Sequence, residues 1–226
     1  MNNFIIVIPA YNPDIRMVEV VKNLVDKFKF IIVVNDGSKV NSLKYFNEIK
    51  DNVILLKNKE NKGKGYSLKK AFKYVIEKEI KVDGVITMDS DGQHLVEDVE
   101  KIANKLNENK RKKIESVLLG SRDFREKQVP IRSKIGNKIS SYIFKNKKGE
   151  YIKDTQTGLR GIPIKYLKEL IMIKGERFEY EQNVLNFIVD NKILIEEIKI
   201  HTIYLKKSHS NFKTLKDSKK IFNTFR

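Results

Sequence analysis

Short apolar runs recur along this chain, and most stop at a small polar cluster. Phe4-Ile5-Ile6-Val7-Ile8-Pro9-Ala10 leads into Tyr11-Asn12, and Phe30 to Val34 ends at Asn35-Asp36-Gly37-Ser38. Val53 to Leu56 is a third run. Gly84 to Met88 ends at Asp89-Ser90-Asp91, and Ser116 to Gly120 at Ser121-Arg122. An unbroken apolar run of this length reads as a strand buried on both faces. Between the runs the period changes to that of a helix. Val18, Val21 and Val25 share one face, as do Leu68, Ala71, Phe72, Val75 and Ile76, and then Leu95, Val99, Ile102, Ala103 and Leu106. Asn12 and Pro13 open the first of these helices, with Pro in its first turn. Such alternation builds an α/β sandwich of three layers around a mostly parallel sheet. Ligands bind such sheets beyond the carboxyl ends of the strands, where four of the polar clusters fall.

A chain of 226 residues is long enough to bury a sizeable core in a single domain. No composition shift or repeat marks a boundary, so residues 1–226 are expected to form one domain, with about 205–226 as a basic amphipathic segment. The chain has no Cys, which excludes disulfides and thiolate metal sites. Its start lacks the basic and long apolar regions of a secretion signal, and no run approaches the roughly 20 apolar residues of a membrane span.

Met88-Asp89-Ser90-Asp91-Gly92-Gln93-His94 carries the most chemistry. Asp-x-Asp-Gly is ordinary turn chemistry, yet here it follows a strand directly. Two carboxylates at a strand end offer hard oxygen ligands, which suit Mg²⁺ or Mn²⁺, and such an ion can hold a diphosphate. On an extended segment Asp89, Asp91 and Gln93 would project to one side and converge on one ion. Gly63 and Gly65, in Asn61-Lys62-Gly63-Lys64-Gly65, let backbone approach a ligand and open a helix whose N-terminus favours anions. Lys62 and Lys64 read more readily as solvated lysines than as phosphate contacts. Arg122, Arg132 and Arg160 form a second constellation, since a guanidinium matches phosphate in a bidentate way. Arg132 precedes a helix expected around Ile135 to Phe144. Arg160 reads equally as an ion-pair partner of Asp154.

Taken in order, these segments resemble family 2 glycosyltransferases with the GT-A fold, a Rossmann-like sandwich. The matching segments are Ile8-Pro9-Ala10-Tyr11-Asn12, Val34-Asn35-Asp36-Gly37-Ser38, Asn61 to Gly65, Met88 to His94, Gly120-Ser121-Arg122, Asp154-Thr155-Gln156-Thr157-Gly158-Leu159-Arg160 and Arg177-Phe178-Glu179-Tyr180-Glu181. Within the family the chain is most similar to dolichyl- or polyprenyl-phosphate sugar synthases. Asn35 replaces an Asp frequent in the family, and Pro13 replaces a Glu.

The resemblance implies a nucleotide diphosphate sugar donor, a polyprenyl phosphate acceptor and a Mg²⁺ or Mn²⁺ cofactor. It places Pro9, Tyr11 and Asp36 about the base and ribose, with Gly63, Asp89, Arg132 and Arg160 also on the donor or acceptor side. Asp91 is the expected direct metal ligand, with Gln93. Asp89 either joins them, holds the ribose or binds through water. His94 sits beside the site or in an ordinary turn. The catalytic set is Asp91, Asp154, Arg122 and Glu179, with Asp154 and Glu179 read mainly as orienting groups, because a lipid phosphate is already ionised and needs no general base. Glu181 is expected to face solvent or cap a helix. The first donor expected is UDP-glucose, the second GDP-mannose.

Two other readings remain at this stage. One is a family 2 enzyme acting on a hydroxyl of a polysaccharide or another acceptor, which would need a working base. The remoter one is a basic domain that binds nucleic acid; Lys and Arg outnumber Asp and Glu by 46 to 29. No recognition helix or aromatic platform supports it, so no nucleic-acid partner is expected. The seven basic residues between Lys206 and Arg226, with Phe212, Leu215, Ile221, Phe222 and Phe225 among them, instead suggest docking on an anionic membrane surface. The expected location is cytoplasmic, peripheral to the inner face of the cell membrane, with room for a separate membrane protein to handle the lipid product.

Overall fold

The computed structural model describes residues 2–126 and 129–203. In chain order the elements are β1 (Asn2–Ala10), α1 (Ile15–Val25), β2 (Phe28–Asn35), α2 (Val40–Asn47), β3 (Ile54–Lys57), α3 (Lys64–Glu77) and β4 (Gly84–Thr87). There follow α4 (Val96–Arg111), β5 (Ser116–Ser121), α5 (Ile131–Lys148), β6 (Arg160–Pro163), α6 (Leu167–Met172), α7 (Glu179–Asp190) and β7 (Leu194–Lys199). The side chain of Arg132 and the basic segment at 205–226 lie outside the described residues.

The sheet runs β3-β2-β1-β4-β6-β5-β7. Among the described residues, only β6 is antiparallel to its neighbours. The chain moves outward from β1 to β2 and β3, then returns to add β4 on the other side of β1. That reversal leaves a crevice beyond the ends of β1 and β4, where an open α/β sheet takes its ligand. Side-chain alternation along β1 divides the core. Phe4, Ile6 and Ile8 join Val18, Val21 and Leu24 of α1 and Val99 and Ile102 of α4 on one face. Ile5 and Val7 join Leu68, Phe72 and Val75 of α3 and Val184, Leu185 and Ile188 of α7 on the other. Each face removes apolar area from water at roughly 25 cal/mol per Å², which is what holds the three layers together.

Several local expectations need correction. Pro13 is not in the first turn of α1. It precedes Asp14, whose carboxylate caps the helix by accepting from Arg16 N at 3.1 Å. The third strand starts one residue later than its apolar run. Neither α2, β6 nor β7 was evident in the sequence.

Candidate active site

The rim begins with two loops tied to each other. Asn12 takes a positive φ of 50° after β1. Its backbone N–H donates to Ser38 Oγ at 2.9 Å, and its side-chain oxygen accepts from Lys39 N at 2.8 Å. Asp36 N donates to Ala10 O at 2.9 Å. Tyr11 stands half-buried at this junction, while Pro9 is buried within β1, in register with Val34.

Asp36 is only 3% exposed, and its carboxylate accepts four hydrogen bonds. Asn58 Nδ2 (2.7 Å) and Lys62 N (2.9 Å) reach Oδ1, while Asn61 Nδ2 (3.0 Å) and Gly63 N (2.8 Å) reach Oδ2. A charged acceptor here fixes the segment from Asn58 to Gly63 against the end of β2. Gly63 has φ of 108°, and a Cβ on it would stand 2.4 Å from Glu176 O. Only glycine fits, and α3 starts directly after it. Beside this loop a cavity of about 520 Å³ runs along α3, lined by Leu56, Tyr66, Lys69, Lys70, Lys73 and Glu176 among others.

Starting α3 at Lys64 aims its side chain inward. Lys64 Nζ lies 2.6 Å from Asp89 Oδ1 and 2.9 Å from Glu181 Oε1. His94 Nε2 lies 3.3 Å from Asp89 Oδ2. Burial works against the charge of Asp89, but Lys64 and His94 outweigh it and hold the carboxyl well below the usual range. Burial likewise disfavours the ammonium of Lys64, and Asp89 with Glu181 more than restores it, so its pKa is raised. Asp91 moves the other way. Burial and the neighbouring charge of Asp89 raise its pKa, and no basic side chain among the described residues pairs with it. The segment is not extended: Gln93 N donates to Asp91 Oδ1 at 3.1 Å, and Gly92 turns the chain with φ of 81°. Any convergence of Asp89, Asp91 and Gln93 is therefore made by a turn, because glycine permits one there.

The segment from Asp154 to Arg160 crosses the same crevice. Thr87 Oγ1 donates to Gly158 O at 2.9 Å, and a Cβ on Gly158 would meet Asp89 Oδ2 at 2.4 Å. Asp154 is fully buried and held by Arg122, through Nε at 2.7 Å and Nη2 at 3.0 Å. The ion pair considered for Asp154 with Arg160 is thus made by Arg122 instead, which reaches it from the end of β5. Arg160 is 3% exposed and donates to carbonyls, from Nε to Thr157 O at 3.0 Å and from Nη1 to Glu181 O at 2.8 Å. Its Nη2 is buried with no hydrogen-bond partner among the described residues. Burial pushes its pKa below the ordinary value. Glu179, in the first turn of α7, turns back to accept from Glu176 N at 3.3 Å and Arg177 N at 3.4 Å.

Two readings of single residues are corrected. Lys64 is not a solvated surface lysine, although Lys62 is, paired with the exposed Glu60. Glu181 does not face solvent; it pairs with Lys64. The signal was in the sequence: a lysine between two glycines at a helix start, and a glutamate in the first turn of a later helix, face one another once α3 and α7 pack on the same face of the sheet. Asn58, a holder of Asp36, had no such signal.

Comparison with known proteins gives the family and the fold. The Glycosyl transferase family 2 model matches residues 5–171, and the chain belongs to that family. It is a glycosyltransferase of GT-A fold. It is 32% identical over 239 residues to the UDP-N-acetylglucosamine–dolichyl-phosphate N-acetylglucosaminyltransferase of Methanococcus voltae, covering 96% of this chain and 92% of that one. An uncharacterized protein of Methanocaldococcus jannaschii is 30% identical over 208 residues, covering 91% and 83%. Glucosyl-3-phosphoglycerate synthase from Mycobacterium tuberculosis, solved with Mn²⁺, UDP and phosphoglyceric acid, superposes with a TM-score of 0.73 at 14% identity, covering 99% of this chain and 77% of that one. The same enzyme has been solved with Mg²⁺ and UDP. At such identity the likeness speaks for the fold.

Proposed function

We propose that this chain transfers a sugar from a uridine diphosphate sugar to a polyprenyl phosphate, with inversion at the anomeric carbon. The observation that carries the reading is the acidic turn beyond β4, flanked by Lys64, the buried Arg160 and the Arg122–Asp154 pair. The likeness to the Methanococcus voltae enzyme over nearly the full length supports the acceptor class, and it makes UDP-N-acetylglucosamine the first donor to try, ahead of UDP-glucose and GDP-mannose.

The donor set fits a hard divalent cation. Asp91 forms no ion pair among the described residues and is burdened by the charge of Asp89, which a cation between them would relieve. Asp89 and Asp91, with Gln93, would hold Mg²⁺ or Mn²⁺, which neutralises charge on the leaving diphosphate. The chain's own residues do the rest. Asp36 fixes the glycine-flanked loop, Lys64 keeps Asp89 ionised, and Arg160 brings a second positive charge near the site. A lipid phosphate oxygen attacks the anomeric carbon from the face opposite the nucleotide. No proton need be removed, and this suits a site whose Asp154 has both oxygens engaged by Arg122. That engagement weighs against a hydroxyl acceptor.

The test is a panel of labelled UDP-N-acetylglucosamine, UDP-glucose and GDP-mannose with dolichyl or undecaprenyl phosphate and Mg²⁺ or Mn²⁺. The expected result is a metal-dependent, solvent-extractable lipid product from one donor. Transfer to hydroxyl acceptors alone would overturn the reading.

A further inference from the structure

Helix α5 is packed inside out. Its inward face carries Asn137, Ser140 and Ser141 with Phe144. Ser140 Oγ meets Thr155 Oγ1 at 2.8 Å, Ser141 Oγ donates to Lys153 O at 3.3 Å, and Asn137 Nδ2 donates to the same carbonyl. Its outward face carries Ile131 (74% exposed), Ile135 (54%), Ile139 (54%) and Tyr142 (63%). At about 100° per residue these four fall within an arc of about 80°. An amphipathic helix ordinarily turns such a stripe to the core. No other helix among the described residues exposes more than two large apolar side chains.

The chemistry around the stripe says what covers it. Lys134, Lys138 and Lys145 fall together along one side of the arc. The whole helix, Ile131–Lys148, contains six basic residues and no Asp or Glu. Two such helices from two copies would repel, in a chain whose net charge is +17. An anionic bilayer complements both features, accepting the isoleucines among its acyl chains and the lysines among its headgroups, with Tyr142 at the boundary.

We infer that the outer face of α5 is a docking surface for anionic membrane. The placement is functional under the polyprenyl-phosphate reading, on which this inference rests for its purpose. The inner face of α5 bonds to Lys153 and Thr155, the residues on either side of Asp154, so a docked helix brings the Arg122–Asp154 pair to the lipid surface.

The test is flotation of the full chain with phosphatidylcholine vesicles with and without phosphatidylglycerol, at low salt. The expected result is binding to the anionic vesicles alone. Binding should fall about tenfold in I135S/I139S and comparably in K134E/K138E. Three of the four side chains are exposed and Lys134 is half-buried, so circular dichroism verifies the fold of both variants. Equal flotation of wild type and both variants, or no flotation of wild type, overturns the inference. So does a concentration-dependent dimer in sedimentation that I135S/I139S abolishes, which would assign the face to a second copy. Flotation requires no donor or turnover. A chain that docks through α5 but fails to glycosylate lipid phosphate refutes the proposed function alone. A chain that glycosylates detergent-solubilised lipid phosphate without floating refutes the docking alone.

Discussion

The loop around Asp36 and the outer face of α5 solve opposite problems. At the first, one buried carboxylate gathers four donors, and the segment from Asn58 to Gly63 has little freedom left. At the second, four large apolar side chains meet water. The difference separates a surface completed within the chain from one that awaits a partner. Where binding demands fixed geometry, as at the proposed donor rim, the fold supplies its own hydrogen bonds. Where it demands adhesion to a fluid surface, area and charge suffice.

The largest expected effect tests that contrast by deletion at each region. Asp36→Ala strands two backbone N–H groups and two amides that share a buried acceptor, and should cost about 3–5 kcal/mol in chemical denaturation. Ile135→Ser removes a side chain with no core contact to lose and should stay within about 0.5 kcal/mol. Comparable losses at both positions would erase the distinction.

Next comes Asp91→Asn, which sets function against stability inside the rim. Transfer should fall about 100-fold, or ~2.7 kcal/mol, if this carboxylate holds the cation. Without divalent metal the variant should nevertheless melt higher at neutral pH. Asp91 has a raised pKa in the folded chain, so its ionised form weakens folding, and stability is lost as pH rises through that pKa. The melting advantage of Asn should therefore shrink as pH drops from neutrality to below the ordinary carboxylate range. Asp89 has the opposite sign. Its carboxyl is depressed, so its contribution persists down to strong acid. A melting gain that grew on acidification would contradict this assignment.

Much of the rim was legible because polar residues at strand ends have few uses. Asp36, Asp89, Asp91, Arg122, Asp154 and Arg160 were all marked from sequence, and each stands on or beside the crevice. What escaped was pairing. Arg122 and Arg160 both suit Asp154 in one dimension, and only the antiparallel insertion of β6 beside β5 decides between them. That strand was itself hidden, being four residues long with a Gly and a Pro. β7 was hidden by Glu196 and Glu197, which suit an edge strand and bond to Ser116 and Lys153 N. The Asp-x-Asp segment was read as extended, and Gly92 bends it. For α5 the periodicity was present, but apolar periodicity says which residues share a face and is silent on whether that face turns in or out.

Arg122→Lys probes the boundary between the two regions, where the β5 end meets the segment that α5 supports. Lysine keeps the charge and loses the two-pronged grip on Asp154. The expected cost is about 1–2 kcal/mol in stability, with a decline in lipid-phosphate use of about tenfold. Wild-type values in both assays would show that the fork is dispensable.

Gly136→Ala gives the smallest effect and the most direct reading of α5. Gly136 lies mid-helix with ordinary helical geometry, and a Cβ there would find no atom within 4 Å beyond its chain neighbours and the backbone of its own helix. Alanine is favoured over glycine inside a helix by about 0.5–1 kcal/mol, because the unfolded chain has less backbone freedom to lose. Nothing offsets that gain if α5 stands in water as a free helix face, so the melting temperature should rise by roughly 1–4 °C. The same methyl on the rim has no such room: at Gly158 it would stand 2.4 Å from Asp89 Oδ2. A fall in stability for Gly136→Ala would mean that another surface already packs on α5 in solution, and the contrast between a finished rim and an open helix would fail at its second half.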